Sequence, residues 1–266
     1  MTHTSGTRRA RTDRLVSWAG ALAFAGLLAP VLGLVLWSLL EALALGGFEL
    51  RLFAALVGSL ELCALALLFG LPTGLLAGLH VAELAGPRVA RAVRMIADVL
   101  AGAPPLLFGV LVHSTVASFT GASSLLPSAL ALGLFIAPAM ARATEELLSL
   151  VPEGLREAAL GLGLAPWRVV LFVCLPSVRS SLGGVALALG ARALGEAAPL
   201  LFTAGAVRGL GAAVFGDSPS LALGLYASMS SADPAEQGKA WAAAFVLLVT
   251  VVAASALGRS VGERRA

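Results

Sequence analysis

The sequence predicts an all-α, polytopic membrane protein with six transmembrane helices in a single domain. Three observations predict it. Charge is scarce, the apolar residues lie in runs of spanning length, and the basic residues fall on alternate connections. Of 266 residues, 59% are hydrophobic and only 12% are charged, and mean hydropathy is +0.94. A soluble domain carries about 25% charged residues, so this chain cannot cover a water-facing surface. Continuous runs favour helices, because the strands of a membrane barrel alternate with a period of two.

The first run, Leu15–Leu40, follows a tail (residues 1–14) containing Arg8, Arg9, Arg11 and Arg14. Its basic prelude resembles a leader, but the run exceeds the roughly 7–15 residues of a signal core. It is read as a retained anchor. The second run is Leu52–Leu79, where Gly70, Gly74 and Gly78 repeat at the spacing that brings helix backbones together. The third is Met95–Ala117, the fourth and shortest Leu125–Ala141, the fifth Leu182–Ala204 and the sixth Ala240–Leu257. At about 1.5 Å per residue, most cross a core of roughly 30 Å. Pro30, Pro72, Pro138 and Pro199 punctuate the runs and predict kinks. The membrane domain is expected over 15–258, with a short tail at 259–266.

Charge orients the bundle. Fourteen of the 18 Lys and Arg residues fall on the N-terminal tail, the connections after spans two and four, and the C-terminal tail. By the positive-inside rule both termini and the segment 144–181 face the cytoplasm. The net charge of +3 is accounted for by this bias and calls for no nucleic-acid partner. On the opposite side, the connection Gly205–Lys239 is expected to fold over the mouth of the bundle through its apolar patch, Leu221–Tyr226. Cys63 and Cys174, one in a span and one in a connection, point to neither a structural disulfide nor a metal cluster.

The cytoplasmic segment predicts a helix, a sharp turn and a second helix. Pro152 and Glu153 suit a helix start, and Gly154–Leu162 form the first helix. Gly163 breaks it, and Pro166 opens the second helix, which runs to Leu175 before Pro176. From pattern alone this is an amphipathic segment resting on lipid. The spacing says more. Glu157-Ala158-Ala159, three residues, Gly163, nine residues, Val173, one residue, then Leu175-Pro176 resembles the signature of ABC-importer permeases. That resemblance implies the type I, MetI-like permease fold. It also implies that Glu157, Ala158, Ala159 and Gly163 form a coupling helix seated on a separate ATP-binding subunit. The motor must be another chain, since a phosphate-binding loop needs Gly-Lys-Ser/Thr and the only lysine is Lys239, followed by Ala240.

Arg192 and Glu196 lie inside the fifth run, where charge is costly and usually faces a bundle interior or a wet path. Four residues apart on a helix, they can pair. One reading is a neutralised packing pair. The other is an anion path, since guanidinium suits phosphate-like oxyanions. The string from Ala191 to Leu200, with Arg192, Gly195, Glu196 and Pro199, resembles the corresponding segment of phosphate-importer permeases of the PstA type. Ala197 stands where that family usually has Thr. Sulfate and molybdate permeases share the first part and typically continue differently.

The resemblance implies a second homologous permease subunit, two ATP-binding subunits carrying ATP-Mg, and a periplasmic or lipid-anchored phosphate-binding protein. It implies no cofactor on this chain and no catalysis by it. Another oxyanion, or a secondary transporter without an ATPase, is the alternative. Whether the permease pairs with a different chain or a copy of itself stays open, as do the roles of Glu61, His80 and His113.

Overall fold

The computed structural model describes residues 50–117, 125–204 and 220–263, with isolated positions between 32 and 43. The expected first span, the N-terminal tail and residues 205–219 lie largely or wholly outside the described residues. All regular structure among the described residues is helical.

Helix α1 (Leu50–Leu79) continues into a π turn, His80–Leu84, that ends the second predicted span. Helices α2 (Pro87–Gly102) and α3 (Pro105–Val112) follow, with a π turn at His113–Ala117. Helix α4 is Leu125–Ser149 and α5 is Glu153–Gly161. Helix α6, Pro166–Leu194, contains a π turn at Val170–Cys174. The short α7 (Leu200–Thr203), α8 (Leu221–Met229) and the long α9 (Pro234–Glu263) complete the chain. Asp233 Oδ1 accepts the Ala235 amide at 2.9 Å and so caps the start of α9.

Glycines set two close helix crossings. A Cβ on Gly70 would lie 2.7 Å from the Gly133 carbonyl oxygen, and one on Gly78 would collide with the Ala141 carbonyl. The row read from the sequence therefore joins α1 to α4. Gly184 and Gly258 do the same for α6 and α9, where a Cβ on Gly184 would stand 2.8 Å from the Gly258 carbonyl. One apolar cluster, with Phe108, Leu132, Phe135, Ala193 and Leu200, joins α1, α3, α4 and α6. A second, with Leu79, Leu148, Val151, Ala159 and Cys174, binds α5 to the helix ends around it. A third holds α8 between α1 and α9, where the Leu221 amide donates to Ser59 Oγ at 2.7 Å.

Among the described residues, which leave out most of the first predicted span, four unbroken helices are long and apolar enough to cross a membrane, and a further span is formed if α2 and α3 are taken together. Met95–Ala117 is not one rod: α2 and α3 meet at a bend of 102°. Pro104 and Pro105 cannot donate amides and push the preceding residue out of helical geometry, so the helix stops at Gly102. The predicted fifth span, Leu182–Ala204, is also shifted. Its helix starts at Pro166 and ends at Leu194, where Gly195 and Pro199 interrupt it. The second helix of the cytoplasmic segment does not end before Pro176. It runs through, and the π turn at Val170–Cys174 rearranges the backbone ladder just ahead of the proline ring. The patch at Leu221–Tyr226 is a helix packed against α1 and α9.

Candidate functional site

Helix α5 starts where its sequence requires. Pro152 stands outside it in extended geometry (φ −57°, ψ 135°), and Glu153 lies in the first turn, where an acid meets the positive helix end. The exit is a Schellman turn. The Gly163 amide donates to the Leu160 carbonyl at 2.9 Å and the Leu164 amide to the Ala159 carbonyl at 3.3 Å. Gly163 has φ +81°, the left-handed region that glycine enters without steric cost. Pro166 then opens α6.

The motif residues divide between two faces. Ala159 is buried in the chain's own second cluster, with Leu164 packed against it. Glu157, Ala158 and Gly163 are exposed. Around them Leu155, Leu160 and Trp167 are also exposed, and Leu162 reaches 84%. Arg168 lies over the Trp167 ring at 5.1 Å. The result is an outward apolar surface edged by one carboxylate, on a helix held from behind. Ala159 belongs to the holding side, so its small size serves internal packing.

The arginine that fastens α5 was counted in the sequence only as a basic residue. Arg156 Nη1 donates to the Glu83 carboxylate at 2.6 and 2.5 Å, and Nη2 donates to the Leu148 carbonyl at 2.6 Å. The hydrogen bond it donates to the Glu83 carboxylate is the main reason its guanidinium is held above the ordinary arginine value. No linear signal announces a pair whose members stand 73 residues apart. A second charged set ties α2 to the end of α4: Arg94 to Glu145 at 2.5 Å, and Arg142 to Asp98 at 3.2 Å and Glu145 at 3.4 Å.

Arg192 and Glu196 are brought together, though not on one helix. Arg192 occupies the last turn of α6, and Glu196 lies past its end, its amide donating to the Ala193 carbonyl at 3.2 Å. Their charged groups approach to 4.0 Å, and Arg192 remains 57% exposed. Instead of closing on the carboxylate, the guanidinium lies 4.7 Å above the Phe135 ring, which meets Phe108 edge-on at 6.0 Å. Behind the pair, Pro199 is buried and its backbone presses on Gly109 of α3, where a Cβ would collide. The arrangement presents one cation, braced by an aromatic face and only loosely neutralised. Glu61 is half-buried on α1, and the carboxylate that faces Arg192 is that of Glu196; His80 and His113 are exposed at the starts of π turns.

Residues 70–266 match the family described as binding-protein-dependent transport system inner membrane component. The chain belongs to this family. The permease is similar to the phosphate transport system permease protein PstA of Xylella fastidiosa strain 9a5c, at 38% identity over 76% of this chain and 71% of that protein. PstA 1 of Mycobacterium tuberculosis strain H37Rv is 33% identical over 80% of this chain and 71% of its own. Among solved structures, a bacterial alginate ABC transporter in complex with alginate pentasaccharide-bound periplasmic protein superposes with a TM-score of 0.68 at 16% identity, covering 96% of this chain and 98% of that one. The MetNI methionine ABC transporter, inward facing, gives 0.56 at 22% identity over 80% and 91%. These likenesses establish the MetI-like fold of ABC-importer permeases. The permease is thus a multi-pass inner-membrane transport subunit and not an enzyme.

Proposed function

We propose that this permease carries inorganic phosphate inward across the cytoplasmic membrane as one of two membrane subunits of an ATP-driven importer. The observation that carries the substrate is the 38% identity to a phosphate permease over most of both chains. In this reading both termini and α5 face the cytoplasm, which the distribution of arginines supports. The coupling segment, 144–181, presents Glu157, Ala158 and the exposed Leu162 to a cleft on an ATP-binding subunit that holds ATP-Mg. Gly163 gives the turn behind them, and Ala159 seats the helix. A second permease faces the first, and a periplasmic or lipid-anchored binding protein delivers the ion.

Arg192 lowers the electrostatic barrier to the anion. A guanidinium offers several donors in one plane, matching the oxygens of phosphate. Glu196, at 4.0 Å, is close enough to hold Arg192 between ions and far enough for an entering anion to take its place. Phe135 keeps the cation at the path while that exchange occurs.

The test is uptake of radiolabelled phosphate by proteoliposomes containing the assembled importer. Phosphate, and not excess sulfate or molybdate, is expected to compete. Arg192→Ala is expected to abolish uptake while the complex still assembles. Uptake competed by sulfate or molybdate instead of phosphate would overturn the substrate, and native-rate uptake by Arg192→Ala would overturn the role of the arginine.

A further inference from the structure

Helix α5 hangs between two spans on short links, residues 150–152 from α4 and 162–165 into α6. A push on a helix held in this way bends its links unless something braces it. Arg156 braces it. Its two terminal nitrogens reach Glu83, in the turn that ends α1, and the Leu148 carbonyl, near the end of α4. Three elements therefore meet at one planar cation. The side chains are mostly enclosed, with Glu83 9% and Arg156 23% exposed. The apolar cluster containing Leu79, Leu148, Val151 and Ala159 is drawn from the same elements. Beyond the junction, α1 and α4 run together along Gly70, Gly74 and Gly78 with backbones in contact, so the pair is mechanically one body.

We propose that Arg156 is a positioning residue that locks α5 to the α1–α4 pair through Glu83 and the Leu148 carbonyl, so that displacement of α5 reaches both spans as one rigid movement. This rests on the reading of α5 as the docking helix for an ATP-binding chain. Lysine would not substitute fully. An ammonium is a single point charge, whereas the guanidinium holds a carboxylate with one nitrogen and a carbonyl with the other.

The experiment uses the complete importer in proteoliposomes and measures ATP hydrolysed and phosphate imported together. Arg156→Gln and Glu83→Gln are expected to assemble and hydrolyse ATP while phosphate imported per ATP falls about tenfold, the size of a typical coupling between sites. Arg156→Lys is expected to recover only part of the ratio. An unchanged ratio in assembled Arg156→Gln importer would overturn the proposal. If the Gln variants do not assemble, Arg156→Lys decides: a wild-type ratio makes the pair a folding element alone and overturns the proposal, whereas a depressed ratio upholds it. Cysteine cross-linking from Ala158→Cys in otherwise native importer tests the reading beneath. A cross-link to the ATP-binding chain with unchanged coupling in the Arg156 variants sinks the brace alone. Absence of that cross-link sinks the docking of α5 itself.

Discussion

Arg156 and Arg192 show two uses of one side chain. Arg156 is enclosed and holds three acceptor contacts, while Arg192 is 57% exposed and only 4.0 Å from its nearest carboxylate. Truncating Arg156 to alanine leaves the nearly buried Glu83 unpaired, an arrangement that costs about 3–5 kcal/mol. Thermal unfolding in detergent is expected to show that loss, and Arg156→Ala/Glu83→Ala is expected to recover most of it. For Arg192 the support is aromatic. Removing the ring with Phe135→Leu forfeits roughly 0.5–2 kcal/mol of cation–π attraction. The expected result is a raised KM for phosphate uptake with assembly intact, and Phe135→Tyr should restore it. An unchanged KM in Phe135→Leu would mean that the ring only fills space. The motif around Glu157 and Gly163 was legible in the sequence because its information is local, carried by helix start, small residues and a left-handed turn. The brace on Arg156 was not legible, because its partner belongs to another span and a pairwise contact leaves no periodic trace.

At the scale of elements, hydrophobic runs marked where helices exist and missed where they break. A run counts side chains, whereas a break is a backbone event. Pro104 and Pro105 sit within one apolar run that looked continuous, and Pro199 was read as a kink in another, where the helix in fact stops at Leu194 before Gly195. Pro138 lies within α4 and Pro176 within α6 without ending either helix, so proline alone was no guide. The glycine row was legible because small residues at helical spacing have few other uses in an apolar span. It also predicts a failure. Gly78→Val must push α1 away from the Ala141 carbonyl, and overpacking of this kind costs typically about 1–3 kcal/mol. A lower unfolding temperature and reduced assembly are expected. Gly86→Val, at a position with open space for a Cβ, serves as the tolerated control.

For the whole molecule, the orientation proposed from the arginines has a direct test. Cys63 and Cys174 are both buried, so the native chain exposes neither thiol to compete with introduced probes. A membrane-impermeant maleimide applied from outside is expected to label Ala232→Cys, beside the start of α9, and to spare Leu162→Cys beside α5. Opening the membrane should make Leu162→Cys reactive. The reverse pattern would invert the molecule and place α5 beyond reach of any cytoplasmic motor.

The interruption after α6 carries one more implication. Between Gly195 and Pro199 the chain leaves the regular ladder of a long helix before forming the short α7. Hydrocarbon offers peptide groups no partners, and irregular backbone at that depth survives only against protein or water. Acyl chains must therefore be kept off this stretch in every state of the transport cycle. Part of that shielding is visible in the packing of the Pro199 backbone on Gly109, so the main chain here sets which surface must stay turned from the oily phase before any side-chain charge is considered.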